Sequence, residues 1–443
     1  MAGQIKVARR RAVVAAFLVG VLGLSGCTGG SVDPLAELDP VGSPFGDELA
    51  GQLQAVLDEA VALSGSSGGI AGAWSPWAGE WTGATGTVDF DEKSSPVTTD
   101  TEFRLGTLTS EVTCTVLLRL VDEGRVALDD KVDEYVDWVP GIDGITLGQL
   151  CAHTSGVADY YPGLQSHFVS NPERIWPPTE LLSSGLALPR TGAPGEHWAH
   201  SRTGVLLLSM ALERSTGRAW SDLAEQYVFD PLGIEDTSLP SPTDTELDGV
   251  LGAYSAALAA DGTADCAVVR DDTDQSSSMG GAAAGAVSSL DDTRRLSAAF
   301  ATGALLDEGT ARKQWTSIPL GGDAPAWQGW GLGGAEFGPM RGLAGESPGA
   351  LTAAFTDPDS GLTIVIALNN STSGDDFVRE AAFALASLAS KAPAAPEHQQ
   401  PLVELPWSFE QATTKMRELA KCPTPEAAPE PAPEPAPEAA TEG

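Results

Sequence analysis

The chain has 443 residues, 42% of them apolar and 19% charged, which is ample material for a packed core and excludes a disordered polymer. It carries 61 acidic against 25 basic residues, a net charge of −36. Such acidity repels phosphate backbones and anionic lipid surfaces, so it argues against nucleic-acid binding, and its plain meaning is solubility outside the cell.

The first element is a leader. Lys6, Arg9, Arg10 and Arg11 precede an apolar stretch from Ala12 to Leu24. That stretch is short for a membrane span and has the length of a signal-peptide core. It runs into Leu24-Ser25-Gly26-Cys27, which resembles the bacterial lipobox, whose cysteine is acylated and becomes the mature N-terminus. The expectation is a lipoprotein signal peptide over 1–26, a lipidated Cys27, and export to the outer face of the cytoplasmic membrane, or to an outer membrane where one exists. Residues 28–45 are rich in Gly, Ser and Pro and read as a tether, with 27–50 as its span.

Two short strands follow, Gly69–Trp74 and Glu80–Gly83, around the turn Pro76-Trp77-Ala78-Gly79. Residues 107–123 read as a helix with Val112, Val116, Leu117, Leu120 and Val121 on one face and Gly124 as its left-handed stop. Residues 203–216, apolar nearly all round, predict a buried helix closed by Gly217. Leu351–Phe355 and Leu362–Leu368 are strands joined by Asp357-Pro358-Asp359-Ser360-Gly361, and Phe377–Leu388 is an amphipathic helix. Strands at both ends with helices between them predict an α+β body over 51–392. Residues 393–422 form an extension with a helix. From 423 to 443 the Pro-Glu-Ala repeats predict an extended, disordered tail.

Five segments then carry a resemblance. They are TEFRLGTLTSEVTCTVLLRLVDEGRVALDDK (101–131), ITLGQLCAHTSG (145–156), PGEHWAHSRTG (194–204), AGAVSSLDD (284–292) and RGLAGESPG (341–349). In this order the chain resembles the class C β-lactamase, D-alanyl-D-alanine carboxypeptidase and esterase family of penicillin-recognising serine hydrolases, over about residues 51–390. The resemblance implies an antiparallel sheet flanked by helices plus a helical subdomain. It also implies acyl transfer. In that family a Ser-x-x-Lys motif supplies nucleophile and base, Tyr-x-Asn a second base and an amide, and Lys- or His-x-Gly a strand that helps hold the substrate at an oxyanion hole.

Every one of those motifs is altered here. Thr107 and Ser110 replace the Ser and the Lys. Ser110 is no base at neutral pH, and the methyl of Thr107 crowds its own attack. His200 stands for the Tyr and Arg202 for the Asn. Leu343 stands for the Lys or His, although Gly345 remains, as do Gly106, Gly195 and Gly349. His153, in a helix-end segment, reads as a capping residue.

Two functions stay open on these residues. The first is a catalytically inactive envelope protein acting by binding or regulation. Its Arg202 would face either a ligand carboxylate, such as the end of a D-alanyl peptide, or a neighbouring acid. The partner would then be a cell-wall peptide or another envelope protein. The second is a rewired hydrolase in which His200 activates Thr107, with Glu111 either orienting the histidine or only stabilising the first helical turn. Cys114, Cys151, Cys266 and Cys422 remain after processing. Cys114 with Cys151, on helices beside the proposed cleft, is the preferred disulfide, and four free thiols are the alternative. No cofactor is implied, and there is no metal-ligand spacing.

Overall fold

The computed structural model describes residues 33–259 and 263–424. The leader, Cys27 and the repeats from 425 onward lie outside the described residues. Helix α1 (Asp47–Ser64) buries Leu53, Val56, Leu57, Ala60 and Leu63, a three-and-four spacing that lays one stripe on the sheet. Gly65 closes it in the left-handed region at φ 68°. Strands β1 (Gly68–Ser75) and β2 (Gly79–Gly86) form the first hairpin. A two-residue strand β3 (Phe103–Arg104) and one 3-10 turn, Gly106–Leu108, lead into α2 (Thr109–Asp122).

The helical middle comprises α3 (Leu147–Cys151), α4 (Tyr161–Ser170), α5 (Pro178–Leu186), α6 (Arg202–Thr216), α7 (Trp220–Ala224) and α8 (Asp230–Leu232). A separate hairpin of β4 (Tyr254–Leu258) and β5 (Ala264–Asp271) stands beside it. β6 (Val287–Ser288) pairs with β3. Helices α9 (Leu290–Thr302) and α10 (Glu308–Gln314) return the chain to the sheet as β7 (Ile318–Pro319), β8 (Gln328–Trp330), β9 (Ala335–Phe337), β10 (Met340–Ser347), β11 (Ala350–Thr356) and β12 (Thr363–Leu368). Helices α11 (Asp375–Ala389) and α12 (Phe409–Leu419) close the order.

The eight-stranded antiparallel sheet runs β2-β1-β12-β11-β10-β9-β8-β7. The first hairpin thus zips onto the last strand, with Gly69 opposite Leu368 and Trp74 opposite Thr363. Strands β1, β11 and β12 are buried at every position, which requires cover on both faces. Adjacent residues of β11 show that cover. Phe355 packs on Phe383 of α11, whereas Thr356 hydrogen-bonds Ser297 of α9 on the opposite face. The architecture is the expected α+β one, a sheet from the two chain ends with helices between them.

Two boundaries differ from expectation. The tether does not reach residue 50. Leu35 and Phe45 are buried, Asp33 pairs with Arg295 at 2.9 Å, Asp39 lies 3.6 Å from Arg294, and α1 already begins at Asp47. Apolar side chains and acids facing partly buried arginines hold this segment on the body. At the other end, Thr424 donates to the carbonyl of Ala62, so the first two residues assigned to the tail are fixed. The extension before it is integral. Trp407 stacks on Phe383 at 3.8 Å and 15°, and Cys422 is bonded to Cys266 of β5.

Cys114 of α2 and Cys151 of α3 form a second disulfide, with Cα atoms 5.9 Å apart and 37 residues of sequence separation. No helix among the described residues is long and apolar enough to cross a membrane. Closing a loop of that length constrains the unfolded chain by about 3–4 kcal/mol. The Cys114→Ala/Cys151→Ala variant should lose stability of that order, read as a lower urea midpoint.

Candidate active site

Thr107 sits in the 3-10 turn just before α2, where glycines let the backbone close up. Gly106 has φ 55°, and a Cβ there would lie 2.7 Å from the carbonyl carbon of Glu346. A Cβ on Gly345 would come within 2.6 Å of the Thr107 Cβ. Strand β10 therefore lies directly against the nucleophile position, a contact only glycine permits on both sides.

The chemistry around Thr107 differs from what that packing serves in the family. Its Oγ1 accepts a hydrogen bond from Arg202 Nη2 at 3.1 Å and makes a long 3.4 Å contact to the carbonyl of Glu346. Ser110 turns back into its own helix and donates to the Thr107 carbonyl at 2.7 Å. It is satisfied locally and presents nothing to a substrate. Leu343 is buried, and its side chain offers neither charge nor hydrogen bond.

Arg202 is the hub. It opens α6, capped by Ser201, whose hydroxyl accepts from the amide of Gly204. Its guanidinium is buried, with Nη1 3.1 Å from Asp159 Oδ2 and Nη2 3.8 Å from Glu346 Oε1. It lies 4.0 Å over the ring of Tyr161. Burial opposes its charge, but Asp159 and Glu346 outweigh that and hold it protonated. Burial also pushes the Asp159 carboxyl up. The nearby His200 ring and the Arg202 charge overcome this and hold it down at about 2. Burial raises Glu346 above the usual carboxylate range, offset in part by Arg202. Both terminal nitrogens of Arg202 are thus engaged, and Nε is buried without a partner. The guanidinium faces neighbouring acids and is not presented to a ligand carboxylate.

His200 has its Nδ1 3.7 Å from Asp159 Oδ2 and its ring 4.6 Å from that of His153. His153 follows α3 with φ 52°, donates its amide to the Leu150 carbonyl, and so ends that helix in the left-handed conformation. Its Nδ1 accepts from the Ser201 amide, and burial depresses its pKa well below the usual value, so the ring is neutral. Trp330 packs on both histidines, and its Nε1 donates to the Cys151 carbonyl. The Cys114–Cys151 bridge therefore braces one wall of the site.

Thr107, His200 and Leu343 share a cavity of about 160 Å³ with Trp198, Trp330 and Phe337. Gly345 lies against Thr107, and Arg202 lies beside it beneath the wall. Glu111 is elsewhere. It lines a separate apolar cavity of about 20 Å³ with Leu108, Val112 and Phe300, so it does not orient His200. The 3-10 turn at Thr107 shifts the phase, so that a residue four positions on does not share its face. Burial raises the Glu111 carboxyl well above its usual value, which leaves a neutral acid with no charge to offer the helix end. Asp159 takes the place beside His200. Sequence reasoning missed Asp159, Tyr161 and Glu346. The signal for Asp159 was an acid just beyond His153-Thr154-Ser155-Gly156, but nothing in the sequence links it to residues 200 and 202.

A sheet built from both chain ends, a helical middle, and motif positions gathered where α2, α6 and β10 meet define the penicillin-recognising serine-hydrolase class. A family model described as Beta-lactamase matches residues 71–389, and the chain belongs to that family. It is 34% identical over 150 residues to the D-alanyl-D-alanine-carboxypeptidase/endopeptidase AmpH of Escherichia coli (strain K12), covering 32% of this chain and 38% of that one. It is 30% identical over 158 residues to Penicillin-binding protein 4* of Bacillus subtilis (strain 168), covering 34% and 33%. The chain thus spans between a third and two fifths of the length of these curated relatives. Among solved structures, a D-stereospecific amidohydrolase from Streptomyces sp. superposes with a TM-score of 0.65 at 28% identity, covering 75% of this chain and 98% of that one. A penicillin binding protein from Bacillus halodurans gives 0.61 at 20% identity, covering 72% and 95%, a likeness of fold.

Asp159→Asn leaves Arg202 with half its countercharge and should cost about 3–5 kcal/mol in a urea titration. Because the folded Asp159 value lies below the ordinary 3.8, the wild-type pair contributes fully above about pH 4. That contribution is lost as pH falls toward 2, and the two proteins should converge there. Glu111 has the opposite sign. Its unfolded form ionises near its ordinary value of 4.5 while the folded form does not, so the wild type is penalised as pH rises. Glu111→Gln should be more stable than wild type at pH 7, with the difference shrinking toward pH 4.

Proposed function

We propose that this chain is a lipid-anchored envelope member of the beta-lactamase family that has exchanged acyl transfer for binding or regulation. The observation that carries this reading is the Arg202 guanidinium on the Thr107 hydroxyl. A guanidinium only donates hydrogen bonds and stays protonated, so it cannot take the proton that a hydroxyl must lose to attack. Ser110 and Leu343 supply no base in its place. The lipobox supports anchoring through Cys27, and the acidic composition supports an exported protein. A cell-wall peptide or another envelope protein is the expected partner.

A second reading rests on one distance. Asp159 Oδ2 lies 3.7 Å from His200 Nδ1, and His200 shares its cavity with Thr107. That is the arrangement of an acid, a histidine and a hydroxyl nucleophile, and it supports slow hydrolysis of activated esters.

One experiment separates the two. Residues 28–443 are incubated with a labelled penicillin and a panel of activated esters, and intact mass is recorded. The expected result is no covalent adduct and no turnover above Thr107→Ala. An adduct that disappears in Thr107→Ala, with a rate that rises as a histidine deprotonates and is lost in His200→Ala, would establish the hydrolase instead.

A further inference from the structure

A larger cavity lies outside the Thr107 centre. It has a volume of about 590 Å³, within the range of ordinary ligand pockets, and shares no lining residue with the cavity at Thr107. Three parts of the fold enclose it: the outer face of α4, the β4–β5 hairpin, and the loop between β12 and α11, with Lys421 at the wall. No carboxylate lines it among the described residues, in a chain of net charge −36.

Its polar groups point to the ligand. Arg270 uses Nη2 alone, toward the Val169 carbonyl at 2.7 Å and Asp272 at 2.9 Å, which leaves Nε and Nη1 without a partner among the described residues. Asp272 is itself almost fully buried and also accepts from Ser255, so the arginine is held from behind. Lys421 is exposed, and its ammonium has no ion-pair partner among the described residues. Its backbone is nonetheless fixed, because its amide donates to Ser373 Oγ and the next residue is cross-linked to β5. Gln165 and Ser166 add an amide and a hydroxyl from α4, and neither side chain hydrogen-bonds another of the described residues. Two open cationic donors beside neutral polar groups match a ligand that combines an anion with hydroxyls. The apolar part of the wall, Val169, Ala256 and Leu258, suits the faces of a sugar ring.

The geometry points to this cavity as a binding site for an anionic sugar, a saccharide carrying a carboxylate or a phosphate. The site goes beyond the reading proposed for Thr107 and stands whether or not that centre is silent.

Titration calorimetry of residues 28–443 in low salt tests it with four probes: glucuronate, glucose 6-phosphate, glucose and inorganic phosphate. The expected result is that at least one charged sugar binds and that glucose and inorganic phosphate bind at least tenfold more weakly. Which charged sugar binds distinguishes a carboxylate from a phosphate source. Lys421→Glu, at an exposed side chain, should weaken that binding about tenfold or more. Ser166→Tyr, on the exposed face of α4, should abolish it by filling the cavity. Unchanged melting temperatures keep both variants interpretable. The proposal is overturned if neither charged sugar binds at millimolar concentration, if inorganic phosphate or glucose binds as well as the charged sugar that does bind, or if that binding survives either variant.

Discussion

The buried guanidinium of Arg202 is the interaction on which the site depends. Taking an arginine out of water costs several kcal/mol, and only close countercharge and hydrogen bonds offset that cost. Asp159, Glu346, Thr107 and the ring of Tyr161 provide them from three separate parts of the chain. Through one side chain the start of α6 is tied to the segment before α4, to the turn before α2 and to β10. Removing any acid of this set leaves a buried charge short of a partner, so these contacts constrain one another.

The glycines explain why the fold persists under such different chemistry. Gly106 and Gly345 permit β10 to touch the turn at Thr107, and that approach depends on backbone shape alone. Side-chain exchange at 110, 200, 202 and 343 leaves it intact. A site can therefore keep the geometry of a hydrolase while its polar groups satisfy one another. Leu343 marks the limit of this: where a cation would face the cleft, a buried apolar side chain joins the core.

Much of the fold was legible because its signals are local. The two terminal strand pairs, the helix after Thr107 and the helix closed by Gly217 all follow from period, turn residues and stop signals. The tether was misjudged over 33–50 because composition reported Gly, Ser and Pro while three apolar residues, Leu35, Leu38 and Phe45, decided the packing. At the site, the positions of Thr107, His200 and Leu343 in one cavity followed the motif order. The partners of Arg202 did not, since Asp159 and Glu346 lie 43 and 144 residues away and the sequence offers dozens of other acids. Glu111 failed for a geometric reason, because four residues make a shared face only where the helix is α from its first turn.

The contest between the two functional readings reduces to which cation Asp159 serves. Its Oδ2 is 3.1 Å from Arg202 Nη1 and 3.7 Å from His200 Nδ1. One carboxylate oxygen placed between both makes them competitors. A hydrolase needs Asp159 to steady the histidine as it gains a proton, whereas the buried guanidinium needs the same charge permanently. The arginine is always protonated and is the more deeply buried of the two, so withdrawing Asp159 from it costs more than withdrawing it from the partly exposed His200. The arginine therefore wins the carboxylate, and with it holds the Thr107 hydroxyl. On the proposed reading, the ion pairs that Arg202 makes with Asp159 and Glu346 are also what keep its Nη2 on the Thr107 hydroxyl.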